Sequence, residues 1–244
     1  MINLFRRLRQ KLLSENKFSK YLLYAIGEIA LVMIGILLAL QVNNWNEQRK
    51  DNATEQKMLT ALQEDLLINI ERLKRDILLE QNTIDQAHKI IAYLDDRKPY
   101  DPSLDAIFAE AIYTPDIVLS ISSYESLKFK GIDIIQSEAL RKGIVNLFDV
   151  VYSNLIAETV RLENQFWPAG VLPMIHKHFR QKMGRKELKP TNYAALMDDV
   201  TYKNMVVHRA HFRKLALDWK TKALADTEAM VELIKEELKK KQEN

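Results

Sequence analysis

The stretch from Tyr21 to Trp45, YLLYAIGEIALVMIGILLALQVNNW, limits what this chain can become more than any other segment does. From Ile29 to Leu40 no side chain is polar, and the apolar character runs back to Tyr21 and on to Val42. A helix rises ~1.5 Å per residue and the hydrocarbon layer is roughly 30 Å thick, so Tyr24 to Trp45 reaches across it. An aromatic ring then stands at each interface, where such rings prefer to be. Asn43, Asn44, Asn46 and Glu47 follow immediately and mark the return to water.

The flanks set an expected orientation. Residues 1–20 hold six cations, Arg6, Arg7, Arg9, Lys11, Lys17 and Lys20, against one acid, Glu15. Residues 43–57 balance Arg49, Lys50 and Lys57 with Glu47, Asp51 and Glu55. Lys and Arg near a span stay in the cytoplasm. The expected layout is a cytoplasmic basic segment over 1–20, a membrane helix over 21–42 and a periplasmic helical domain over 43–244. The apolar core is longer than that of a signal peptide, and no small-x-small cleavage site follows it, so an uncleaved anchor is expected.

Several residues around the span invite a role. Residues 2–13 form a basic amphipathic segment suited to a lipid surface, with Ile2, Phe5, Leu8 and Leu12 sharing one face. Asn16 or Ser19 can cap the span. Glu28 is a carboxylate ~6 Å from Tyr24 along the helix, within reach of the headgroups or shared between copies of the span. Gly27, Gly35 and Ala39 lie on one face, where small side chains let two helices approach.

Beyond the span the chain reads as all-α. Only six glycines and six prolines occur in 244 residues, which favours long helices over many turns. Residues 47–97 contain neither. There Leu66, Leu73, Ala87 and Leu94 take one heptad position and Ile70, Ile77, Ile84 and Ile91 the other, interrupted by Glu80. That is a coiled-coil-grade seam, to be met by a helix of the same chain or by a second copy.

A break is expected over Asp95–Ser103, and short helices over 104–113 and 121–130. Gly131 ends the second of these, and Ser137 caps the next helix. Helical spacing then runs from Glu138 to Trp167, where WPAGVLP breaks or kinks it. Helix resumes over Met174–Met183, Gly184–Pro190 is a basic loop, and a last helix begins after Thr191 or Asn192. Its apolar face is Phe212, Leu215, Trp219, Ala223, Met230 and Ile234. No strand is expected, with Ile117–Ile121 the one ambiguous piece. The architecture is an antiparallel bundle of two long helices and several short ones.

Chemistry is sparsely signalled. Residues 29–244 carry 30 Lys and Arg against 31 Asp and Glu, a balance that argues against nucleic acid as a partner. The absence of Cys excludes disulfides and thiolate metal sites. His176 and His178 point apart on a helix, His208 and His211 share a face, and Asp85 with His88 makes one incomplete copy of a bundle metal motif. No phosphate loop, nucleophile elbow or zincin motif occurs. No metal, cofactor or catalytic residue is therefore assigned, and no enzymatic activity is expected. Phe166, Trp167 and Phe179, beside Pro168 and Pro173, line a pocket or cap a core.

Residues 5–50, with Gly27-Glu28-Ile29 and Asn43-Asn44-Trp45-Asn46, resemble a family of uncharacterised single-span inner-membrane proteins of flavobacterial type, catalogued as a domain of unknown function. Tyr124-Glu125-Ser126-Leu127, Gly131 and Leu140-Arg141 extend the resemblance. Phe129 and Lys130 stand where small polar residues are expected. The resemblance implies an inner-membrane anchor with a periplasmic helical domain, and it supplies no activity. Two functions fit: an interaction or scaffold protein engaging a second copy or an envelope partner, or a ligand-sensing bundle acting through a partner.

Overall fold

The computed structural model describes residues 18–181 and 187–243, without the side chains of 18–21, 23, 24, 242 and 243. The amphipathic segment 2–13, and Asn16 as a cap, lie outside the described residues. Contacts divide the chain into two units, Met1–Thr54 and Glu55–Asn244. Helix α1, Phe18–Asp95, supplies all that is described of the first unit and the opening helix of the second.

In the second unit α1 ends as its sequence dictates. Lys98 N donates to Tyr93 O at 3.1 Å and Arg97 N to Leu94 O at 3.2 Å, with Arg97 in the left-handed region at φ 52°. This is a Schellman-type stop, and Pro99 follows it. Next come α2 (Leu104–Glu110) and α3 (Ser122–Lys130), closed by Gly131 at φ 106°. A 3-10 turn over Ile132–Ile134 leads to α4 (Glu138–Val145), whose first turn donates Leu140 N to Ser137 Oγ.

From Glu138 the chain stays helical to His178. A π-helical stretch, Asn146–Tyr152, joins α4 to α5 (Ser153–Phe166), and a second, Trp167–Val171, joins α5 to α6 (Leu172–His178). The expected break at WPAGVLP is thus a π turn: its longer hydrogen-bonding step accommodates a proline that has no N–H to give. The helix expected to run to Met183 instead stops at His178. Phe179–Gln181 (β1) pairs antiparallel with Leu188–Pro190 (β2), Phe179 opposite Pro190. A strand pair therefore stands where none was expected, three residues a side being too short to show alternation. Met183 and most of the basic loop lie outside the described residues.

Asn192 caps α7 (Tyr193–Asp198) through Ala195 N, and Asp199 accepts from Thr201 N and Tyr202 N to start α8 (Val200–Glu243). Helix α8 returns antiparallel to α1: Lys203 meets Asp95 at 2.7 Å, Lys74 meets Glu228 at 3.1 Å, and Lys241 meets Glu55 at 2.6 Å. The heptad seam of α1 is buried within the same chain, against α8 and the α4–α6 run. Leu66, Leu73, Ala87 and Leu94 are almost fully enclosed, and Ile70 and Ile84 nearly so.

The buried face of α8 differs from the expected one. It runs through Tyr202, Val206, Arg209, Arg213, Ala216, Lys220, Ala223, Thr227, Met230 and Ile234, while Phe212, Leu215 and Trp219 are only half-buried beside it. A purely apolar reading steps off this face because three of its members are cations.

Two large apolar clusters result, with a small third one of Leu73, Leu155 and Ala223. One gathers Leu59, Leu62, Leu66, Tyr124, Leu127, Ile144, Phe148, Tyr152 and Ile234. The other gathers Ile90, Leu94, Leu104, Phe108, Val171, Phe179, Leu196, Tyr202 and Val206. Each fully buried Leu, Ile or Phe contributes ~1.5–3 kcal/mol.

The extended segment before α3, which includes Ile117–Ile121, is pinned to α1 by polar groups. Asp65 accepts from Ser120 Oγ at 2.7 Å, Ser122 Oγ at 3.1 Å and Ser123 N at 2.8 Å. Asn69 exchanges two bonds with the backbone of Ser120. Burial alone would raise the Asp65 carboxyl, but the Ser123, Ser120 and Ser122 donors together hold it below its ordinary value. Its stabilising contribution is therefore complete above the unfolded value near 3.9 and fades as pH falls through the lower folded value. Asp65→Asn, which loses the charge and keeps the shape, is expected to cost ~1–3 kcal/mol at neutral pH. Chemical denaturation across pH 2–7 is expected to show a smaller loss on acidification in this variant than in the wild type.

Candidate functional site

Two features carry functional weight, one in each unit. In the first, none of the described residues packs around the apolar run of α1 from Ile29 to Leu40. Ile29 to Leu40 is exposed throughout, and among the described residues this is the one helix long and apolar enough to cross a membrane. Glu28 is half-exposed; Gly27 and Gly35 have open space where a Cβ would stand, and Trp45 projects into solvent. The side chains of Tyr21, Tyr24 and Lys20, and all of Arg6, Arg7, Arg9, Lys11 and Lys17, lie outside the described residues. Asn43 Nδ2 donates to Glu47 Oε1 at 3.1 Å on the polar side of the stretch.

In the second unit a layer of ions, all but Glu163 fully enclosed, stands between the two large apolar clusters. Glu80, which interrupts the heptads, is fully enclosed and accepts from Lys220 Nζ at 2.8 Å and Arg213 Nη1 at 3.4 Å. Glu163, on α5, receives Arg209 Nη1 at 2.7 Å and Arg213 Nη2 at 2.5 Å on the same oxygen. Arg209 also donates to Ile112 O at 2.9 Å and to Thr114 Oγ1, and stands 5.8 Å from the Trp167 ring. Burial and the neighbouring Arg213 charge pull the Arg209 guanidinium below its ordinary value, while Glu163 and Glu80 oppose them. Nε of Arg209 and Nε of Arg213 have no hydrogen-bond partner among the described residues.

This layer was invisible as a site because its members come from α1, α5 and α8. The available signal was the i, i+4, i+11 spacing of Arg209, Arg213 and Lys220 on the stripe that holds Tyr202, Val206, Ala223 and Ile234. Glu80 is fully enclosed, Glu163 is partly exposed, and both carboxylates are occupied by cations. The layer ties α1, α5 and α8 together, and in this alignment Arg209 reaches both Glu163 and the Ile112 carbonyl.

The histidines do not converge. His178 is buried, its Nε2 2.8 Å from Asp199 Oδ2, which also meets Lys177 Nζ at 2.5 Å. The Lys177 bond, ahead of the opposing effect of burial, holds Asp199 well below the usual carboxylate range, aided by Tyr202 N and His178. His88 and His211 stand on the rim of a groove of about 470 Å³ between α1 and α8, floored by Ile84, Ala87, Val206 and Ala210. Asp85 is bonded by Gln81, and no three metal-ligating side chains come together among the described residues. At the kink, Phe179 is in the second apolar cluster and Phe166 and Trp167 pack against it. Phe166 also stacks edge-on with Phe212 at 5.0 Å.

Glu80→Ala is expected to cost ~3–5 kcal/mol, because two buried cations lose their counter-charge. The combined replacement Glu80→Leu, Arg213→Met, Lys220→Met is expected to recover most of that loss. Urea denaturation of the detergent-solubilised full chain checks both.

No curated protein and no solved structure matches the chain. A family model does match, over residues 28–166, more than half of the chain. The matched region takes in the apolar stretch from Glu28, the heptads of α1, the Asp65-pinned segment and α5 with Glu163. By that match the chain belongs to a family of unknown function (DUF6090).

Proposed function

We propose that this is a single-pass membrane protein whose helical domain holds other envelope proteins, or a second copy, at an inner-membrane surface. In this reading the N-terminus is cytoplasmic and residues 43–244 are periplasmic, as in the flavobacterial single-span proteins that residues 5–50 resemble. The observation that carries it is the uncovered apolar run of α1: burying it in lipid removes a long exposed apolar surface that water would otherwise oppose. The six-to-one excess of cations in residues 1–20 supports the orientation. The reading is not enzymatic, and what supports it is that Glu80, Arg209, Arg213 and Lys220 are ion-paired and enclosed rather than open to a substrate.

Within the span, Gly27 and Gly35 offer an approach face with open space at each Cβ. A ligand-sensing role is the second reading. The groove between α1 and α8 supports it, and it moves any ligand away from the aromatic-filled 166–179 kink.

The test is crosslinking of full-length protein in intact membranes. The chain is expected in the membrane fraction, released by detergent and not by carbonate. Defined crosslinked species, either a dimer or one recurrent envelope protein, are expected. Gly35→Leu is expected to reduce a dimer severalfold while leaving membrane insertion unchanged. A carbonate-soluble, uncrosslinked monomer would overturn the proposal.

A further inference from the structure

The heptad seam of α1 has one small member. Leu66, Leu73 and Leu94 fill their places with long side chains, but Ala87 does not, and Ala210 stands on the facing stripe of α8. Both alanines are buried, at 0% and 8% exposure. Short side chains on both helices leave a depression in an interior that is otherwise close-packed. This is the origin of the groove of about 470 Å³.

The groove has a direction. The ion pairs Asp95–Lys203 and Lys74–Glu228 fix how α1 and α8 run past one another. Interpolation between them sets Ile91 level with Val207, His88 level with His211, and Lys214 between the levels of Ile84 and Ala87. One end of the groove is therefore aliphatic, with Ile91, Val206 and Val207. The other carries two imidazoles and an ammonium.

The polar end is open. His88, His211 and Lys214 are all exposed, and neither imidazole has a hydrogen-bond partner among the described residues. Lys214 Nζ lies 2.6 Å from Asp218, an exposed pair that occupies one of the ammonium's three donors and holds weakly in water. No carboxylate lines the groove. Three side chains with N–H groups thus gather at one end, and no acid answers them from within.

Dimensions decide the kind of occupant. Ile84 to Ile91 is two helical turns, or ~10 Å. A stable protein partner covers roughly 800 Å² on each side. Here Val207, at 52%, is the one large apolar side chain of the lining that stands exposed. The volume is instead that of a small-molecule site, which holds roughly 300 to 1,000 Å³.

We infer that the groove binds a single-chain amphiphile with one anionic head, the class represented by a medium-chain carboxylate. Its acyl tail lies over Ala87 and Ala210 toward Ile91 and Val207, where it displaces water from apolar surface. The carboxylate accepts from His88, His211 and Lys214, and these charge-assisted bonds fix which way round the chain enters. This rests on the ligand-sensing reading given second above. It adds the chemical class of the ligand and its orientation.

The test uses the full chain in amphipol and decanoate that carries a diazirine near the end of its tail, with crosslinked positions mapped by mass spectrometry. Saturable labelling is expected within 87–91 and 206–210, competed by unlabelled decanoate. Decanol and decylamine, which share the tail and lack the anion, are expected to compete severalfold more weakly. Labelling of the apolar run 29–40 is expected not to saturate, and it reports simple partitioning. His88→Gln, His211→Gln and Lys214→Gln together are expected to weaken groove labelling about tenfold, as bonds to a charged group are lost. Thermal melting is expected to be unchanged, because all three side chains are exposed.

Competition by decanol or decylamine as strong as by decanoate overturns the inference. So does saturable labelling that survives the triple substitution. In both cases the groove still holds an apolar ligand, and the sensing reading stands without the anionic class. If decanoate, decanol and decylamine, each carrying the diazirine, label 29–40 alone, both fall.

Discussion

Burial of the α1 stripe from Leu59 to Leu94 sets the geometry of the second unit, because a helix with that much apolar surface on one side must be enclosed along its length. The chain meets the demand with two helical runs of its own, α8 returning from Val200 and the α4–α6 run from Glu138. Ion pairs at Glu55–Lys241, Lys74–Glu228 and Asp95–Lys203 mark the antiparallel alignment from end to end. The short elements fill what remains: α3 covers Leu62 and Leu66 through Tyr124 and Leu127, while α2 and the strand pair close the other end around Phe108 and Phe179.

A heptad seam alone tolerates sliding, since Leu and Ile accept neighbours one heptad away almost as well. The charged layer removes that freedom. One oxygen of Glu163 takes both Arg209 and Arg213, and Glu80 takes Lys220 and Arg213. A shift of α8 by one heptad would replace one of Arg213 and Lys220 by the other at Glu80, but it would carry Arg209 away from Glu163, at a cost of several kcal/mol. The layer thus supplies little net stability and much specificity.

Sequence reading recovered those parts of the fold that local chemistry dictates. Gly131 ends α3, Ser137 caps α4, and the Leu heptad with Ile70 and Ile84 is buried as its spacing implies, while Ile77 and Ile91 are half-buried beside it. What escaped depends on distance or on short length. Glu80 looked like a flaw in the heptads because its partners lie more than 130 residues away. The α8 face was drawn through Phe212 and Trp219 instead of Arg209 and Arg213, because a buried guanidinium looks the same in sequence as a solvated one. Pro168 indicated a break, yet a π turn absorbs it within continuous helix. Of the features that bear on function, the apolar run of α1 was fully legible.

The two large apolar clusters have no residue in common, and the charged layer stands between them like a bulkhead. Fraying that starts at the strand pair can dissolve the Phe108–Phe179–Tyr202 contacts and still leave the Leu59–Ile234 end intact. To pass further it must expose Glu80 and Glu163 together with the cations they hold. Opening of this kind proceeds in blocks rather than residue by residue. The hairpin end is then able to breathe or refold around a visitor while the end next to Glu55 keeps its shape.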